Sequence, residues 1–133
     1  MASKSSQSET VKEAVTAATR AISGNKELEI NFGGMGSSLP HPPKTLKELS
    51  AYRGKADSLA CVEKYRDKSI RITASNEKVS SLIKVMEDSR VEILGSMNYP
   101  GIATNIKSKF DDKCKLYESF EDQEDHLELS LIH

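Results

Sequence analysis

The spacing of apolar positions predicts a mainly helical chain. After a serine-rich start (residues 1–8) that predicts a disordered leader, apolar residues recur three or four positions apart, the spacing of one helix face. This first helix begins at Ser8 or Thr10 and ends at Gly24-Asn25, a pair typical of helix ends. Its apolar face comprises Val11, Ala14, Val15, Ala18 and Ile22.

A second helix is indicated from residue 45 to about Asp67. Thr45-Leu-Lys-Glu48 matches a capping box, in which the two polar side chains satisfy free backbone N–H groups at a helix start. The apolar positions predicted to be buried are Leu46, Leu49, Tyr52 or Arg53, Ala56, and Leu59 or Ala60.

Two further helices are predicted on either side of a turn at residues 98–101, Asn-Tyr-Pro-Gly. The third helix begins near Ser75 and carries Val79, Leu82, Ile83, Met86, Ile93, Leu94 and Met97 on one side. The fourth carries Ile102, Ile106, Phe110, Cys114 and Tyr117, after which the pattern ends.

Two short segments alternate apolar and polar residues with the period of a strand. They are residues 27–32 and 69–73, and they could pair as a small two-stranded β-ribbon supported by the helices. Between helices one and two, the glycines and prolines of residues 33–44 predict a loop. The predicted fold is therefore mainly α, a compact bundle of about four helices to which these two segments could add a small ribbon.

Charge divides the chain into a body and a tail. All 19 Lys and Arg residues and 14 acids lie in residues 1–115, whereas residues 116–133 hold six acids and no base. We therefore expect a helical domain at residues 9–117 and a flexible acidic tail, or the start of a linker, at 118–133. A body without basic clusters argues against nucleic-acid binding, and no apolar run is long enough to span a membrane. The residues at the start resemble neither a signal nor a transit peptide, so we expect a cytoplasmic protein.

No catalytic or metal site is predicted from the motifs. The glycines at 33–36 lack the Gly-Lys-Ser/Thr of a phosphate-binding loop, and neither cysteine has a metal-ligand partner at the usual spacing. The loop Gly33–Pro43 could still cover a pocket, which leaves a small ligand-binding protein or enzyme as an alternative, beside an unrelated helical scaffold.

Two arginines fall within apolar stripes, where a charge needs a partner. Arg53 has Asp57 four residues later, and Arg90 has Glu87 three residues earlier. One interpretation is two ordinary ion pairs on the helix surface. The other is a polar seam between helices two and three that also includes Glu92.

Several short motifs, in order along residues 10–117, resemble the N-terminal region of CobT, a subunit of the aerobic cobaltochelatase. They are Ala18–Ile22, Glu27–Phe32, Leu39–Pro43, Arg53–Ala60, Glu87–Gly95 and Met97–Asn105. Within these motifs, the residues we single out as family signature or interface are Arg53, Gly54, Asp57, Glu87, Arg90, Glu92, Gly95, Gly101 and Asn105.

This resemblance implies a role in ATP-dependent insertion of Co²⁺ into hydrogenobyrinic acid a,c-diamide during cobalamin biosynthesis. In that family CobT works with CobS, an AAA+ ATPase, and CobN, a large subunit that holds the tetrapyrrole, and the complex is a ligase that uses ATP, magnesium and cobalt. CobT's C-terminal half has a metal-ion-dependent adhesion site, whose Asp-x-Ser-x-Ser motif does not occur in these 133 residues. We therefore expect a non-catalytic assembly domain that binds no cofactor itself.

Overall fold

The computed structural model describes residues 4–67, 69 and 76–132, with the side chains of residues 7–67, 69 and 76–119. These parts of the chain contain four helices and no β-strand of regular length, which confirms the mainly helical prediction. The helices are α1 Lys4–Ser23, α2 Leu46–Tyr65, α3 Glu77–Asn98 and α4 Pro100–Ile132.

Helix α2 is the centre of the fold. It packs against α1, α3 and α4, and α3 also packs against α4. Two apolar clusters lie along it, one formed with α1 and the loop before α2, the other with α3 and α4. The first cluster is built on Val15, Leu39, Tyr52 and Ala56, and the second on Cys61, Val91, Ile102 and Ile106.

Local chemistry explains most helix ends. Gly24 adopts a φ of 74°, a left-handed conformation that suits glycine, and its N–H bonds to the carbonyl of Arg20 at the end of α1. Asn76 caps α3 by accepting a hydrogen bond from the N–H of Lys78 at 2.9 Å. Thr45 occupies the N-cap of α2, but its side chain makes no capping bond, so the predicted capping box does not form.

Helices α1 and α4 are longer than the pattern predicts. Helix α1 already begins at Lys4, inside the predicted leader, and α4 continues to Ile132, well past Tyr117. Neither added segment contains glycine or proline, so nothing in the backbone stops a helix there. The role of residues 118–133 as a linker stays a prediction.

The predicted ribbon is not formed by residues 27–32. Phe32 makes one isolated bridge with Leu39, and the carbonyl of Leu28 accepts a hydrogen bond from Arg20 Nε of α1 at 2.8 Å. The alternation itself is correct, because Leu28, Ile30 and Phe32 are half-buried whereas Glu27, Glu29 and Asn31 are exposed. The segment packs its apolar side chains on the helices instead of pairing with a strand. Apart from Ser69, the other half of the predicted ribbon lies outside the described residues.

Candidate interaction surface

Two glycines let the helices cross closely. A Cβ on Gly95 of α3 would overlap the Sγ of Cys61 on α2, and a Cβ on Gly54 of α2 would overlap the backbone carbonyl of Asn105 on α4. Both glycines were singled out from the sequence. Their position shows why a side chain is excluded there: each lies where a second helix comes within contact distance of the backbone.

A cluster of three polar and charged side chains connects α2, α3 and α4. Lys109 Nζ of α4 donates to Glu92 Oε1 of α3 at 2.6 Å and to Ser58 Oγ of α2 at 2.8 Å. Ser58 in turn donates to the same carboxylate oxygen at 2.8 Å. The Glu92 and Lys109 side chains expose only 11% and 19% of their surface, so the ion pair is largely shielded from water.

A second polar contact joins α2 to α4 one turn away. Asn105 Nδ2 donates to Asp57 Oδ2 at 2.8 Å. Burial raises the pKa of Asp57 above its ordinary value, while the hydrogen bond from Asn105 and the charge of Arg53 pull it down. The sequence left Tyr52 and Arg53 as alternatives for one buried position of α2. In the structure Tyr52 is buried and Arg53 is exposed.

Glu87 and Arg90 tie α3 to the end of α2. Arg90 Nε donates to Glu87 Oε2 at 2.9 Å, and Arg90 Nη2 donates to the carbonyl of Tyr65 at 2.8 Å. The hydrogen bond from Arg90 lowers the pKa of Glu87, and the Asp67 N–H adds to that effect. The pair therefore satisfies free backbone groups at the C-terminal end of α2.

The structure thus brings together most of the residues selected from the sequence, although with different partners. Glu87 pairs with Arg90, as the spacing suggests, but Asp57 bonds to Asn105 and Glu92 bonds to Lys109. The group is a seam across three helices. Gly101 lies apart, with open space where a Cβ would be.

Sequence reasoning missed Ser58 and Lys109. The available signal was helical spacing, because Lys109 follows Asn105 by one turn and so lies on the same face of α4. Because the buried face of α4 was predicted from its apolar residues alone, the polar residues on the Asn105–Lys109 side of the helix were not considered.

The apolar side of α3 faces away from the rest of the protein. We define the outer face of α3 as Val79, Leu82, Met86, Ile93 and Met97, whose exposed fractions are 44, 60, 64, 60 and 78%. The buried residues of α3 are instead Glu87, Val91, Glu92 and Gly95. Five of the seven residues of the third predicted stripe therefore lie on the surface, and the other two, Ile83 and Leu94, are half-buried.

A shallow apolar groove continues this surface towards α4. It has a volume of about 440 Å³ and lies between Ile93 and Met97 of α3 and Ile106 and Phe110 of α4. Together with the outer face of α3 it forms a long exposed apolar surface, the kind that in soluble proteins marks an interaction site.

The cysteine of the second cluster lies in the core and not on this surface. Cys61 is fully buried, and burial together with the charges of Asp57 and Glu92 raises its pKa to about 11. Among the described residues, no group of three His, Cys, Asp or Glu side chains is placed to hold a metal ion.

The loop considered as a pocket cover folds onto itself. The N–H of Gly33 bonds to the carbonyl of Leu39 at 2.8 Å, and the ring of His41 occupies the space beside Gly33 where a Cβ would lie. The carbonyl of Pro40 accepts a hydrogen bond from Tyr52 Oη at 2.8 Å, which fixes the loop to α2.

Comparison with known families decides the identity of this bundle. The family model described as "Cobalamin biosynthesis protein CobT" matches residues 5–129. The chain belongs to the CobT family. The match covers all four helices almost completely, and it places the chain in cobalamin biosynthesis as a cobaltochelatase subunit. No solved structure gives a significant match to it. Within the described part of this CobT-family chain, no helix is long and apolar enough to cross a bilayer.

Proposed function

We propose that this CobT-family domain is a non-catalytic assembly module that binds another cobaltochelatase subunit through the outer face of α3. The complex that it supports would insert cobalt, its metal substrate, into hydrogenobyrinic acid a,c-diamide in the cytoplasm. ATP and magnesium would be used by the complex, with no cofactor bound by this chain.

The proposal rests mainly on the orientation of α3, whose most apolar face is exposed to solvent while a less apolar face is buried. An isolated domain gains stability by burying its most apolar helix face, at about 25 cal/mol per Å² of apolar surface. Here Val91 and Gly95 are buried, while Ile93 and Met97 remain 60% and 78% exposed. A partner that covers this face would recover that stabilisation in the complex.

Flexible methionines suit a surface that must fit a partner. Met86 and Met97 lie at two levels of the outer face, with Ile93 between them. Methionine side chains have several accessible rotamers and polarisable sulfur atoms, so they adapt to a neighbouring apolar surface. The partners that family membership suggests are the CobS-type ATPase and the CobN-type large subunit.

Co-purification of the tagged chain with each of these two subunits tests the proposal. We expect at least one subunit to bind the wild type, and Ile93→Glu to weaken that binding at least about tenfold, because central apolar residues dominate interface energies. Leu46→Glu is the matched control: it also replaces an aliphatic side chain with glutamate, at a position of α2 outside the surface that is 87% exposed and not buried as predicted, and it should bind like wild type.

Circular dichroism of both variants shows whether the fold is kept. Equal binding by Ile93→Glu and wild type would exclude the outer face as the contact. Failure of the wild type to bind either subunit would reject the assembly role itself.

A further inference from the structure

Helix α4 carries opposite charges in its two halves. Residues 107–115 contain four lysines and two aspartates, whereas residues 116–133 contain six acids and no base. Both segments belong to the same helix as far as Ile132.

The basic half borders a second groove, between α2 and α4, which shares Phe110 with the apolar groove beside α3 but contains no residue of the outer face of α3. This α4 groove has a volume of about 630 Å³, with Phe110 and Leu116 as its apolar part and Lys55, Lys113 and Lys115 among the lining residues. Phe110 and Leu116 are 46% and 60% exposed. Asp112 also lines the groove, so the lining is predominantly but not wholly basic.

An apolar strip between lysines fits an acidic amphipathic helix. The C-terminal half of α4 has that composition, because its acids alternate with Phe120, Leu127 and Leu131. It cannot reach the α4 groove of its own chain. A continuous helix of 33 residues is about 50 Å long and does not fold back on itself.

We propose that two copies of this chain pair through antiparallel α4 helices, with the acidic half of each lying in the α4 groove of the other. A pair centred near Tyr117, which is 61% exposed, brings Lys113 of one copy level with Glu121 of the other. The bundles then lie at opposite ends of the paired helices, so they do not compete for the same space.

Charge reversal provides a direct test by sedimentation velocity. Lys113→Glu/Lys115→Glu makes the groove acidic, and Glu121→Lys/Glu124→Lys makes the C-terminal half basic. In each variant the paired segments carry like charges, so we expect the dissociation constant of the dimer to rise at least about tenfold. An equimolar mixture of the two variants restores both attractive contacts and should sediment as a dimer.

Lys47→Glu/Lys84→Glu, at exposed lysines of α2 and α3, is the control and should dimerise like wild type. Raising the salt concentration from about 0.1 to 1 M shortens the screening length roughly threefold and should weaken the dimer. A monomeric wild type, unaffected dimers in both reversal variants, or a mixture that stays monomeric would each overturn the proposal. Ile93→Glu should leave the dimer intact, which separates this test from that of the proposed function.

Discussion

At the scale of single residues, the helix interfaces contain polar contacts as well as apolar ones. Glu92 and Lys109 meet at 2.6 Å between three helices, and Asp57 bonds to Asn105 nearby. The ion pair tolerates few substitutions, because removing Glu92 or Lys109 leaves the other charge without an opposite charge in a site largely shielded from water. The sequence indicated that Asp57 and Glu92 matter, but helical spacing alone cannot identify partners on another helix.

The two cysteines should differ strongly in reactivity. Cys61 is fully buried with a pKa near 11, whereas Cys114 is exposed. Because the thiolate is the reacting form, we expect a disulfide reagent at pH 8 to modify Cys114 rapidly and Cys61 only on unfolding. Counting the thiols that react before and after adding urea measures this. Two rapidly reacting thiols in the folded chain would show that the α2–α3 crossing is open.

Ionisation of Glu87 should increase the free energy of unfolding, whereas ionisation of Asp57 should decrease it. Arg90 lowers the pKa of Glu87 below 4.5, so its stabilising contribution is complete above pH 4.5 and is lost as pH falls through the folded-state pKa. Burial raises the pKa of Asp57 above 3.8, so its ionisation costs stability as pH rises.

Urea unfolding of Glu87→Gln and Asp57→Asn at a series of pH values tests these signs. Relative to wild type, Glu87→Gln should be destabilised at neutral pH and approach wild type in acid. Asp57→Asn should instead gain stability relative to wild type as pH rises. The same pH trend in both variants would contradict the assigned environments.

At the scale of helices, α3 shows why an apolar stripe does not by itself locate a core. Its apolar positions were correctly placed on one face, yet the buried face contains Gly95, Val91 and two glutamates. Close approach at Gly95 favours this face, because a glycine opposite Cys61 lets α3 and α2 touch. The sequence pattern shows which face of a helix is hydrophobic, but it does not show which face a neighbouring helix can approach.

Substitution of Gly95 tests this close approach. Gly95→Ala places a methyl group against Cys61 Sγ, so we expect a loss of about 1–3 kcal/mol in the free energy of unfolding. Gly101→Ala meets open space in α4 and should be neutral or up to about 1 kcal/mol more stable. Adding Cys61→Ala to Gly95→Ala should recover part of the loss in a double-mutant cycle. A Gly95→Ala protein as stable as Gly101→Ala would refute the tight crossing.

At the scale of the whole molecule, helix number and order could be predicted from periodicity and turn residues. Gly24 and Pro100 sit at helix ends as expected. Residues 27–32 form no strand, because the alternation there reflects which side chains are half-buried and does not show whether the backbone has a strand partner. The central position of α2 and the outward direction of α3 depend on contacts between distant residues, which one sequence does not reveal.

The central claim is that a partner subunit covers the outer face of α3. Methyl NMR of the chain with ¹³C-labelled methionine tests it most directly, because an unlabelled partner contributes no signals. Met86 and Met97 lie on the outer face, and Met35 is an exposed internal control in the loop before α2. On adding the CobS-type or CobN-type subunit that co-purifies, we expect the Met86 and Met97 signals to shift or broaden while Met35 stays unchanged. Binding that leaves Met86 and Met97 unaffected, or that moves Met35 as much as both, would contradict the account.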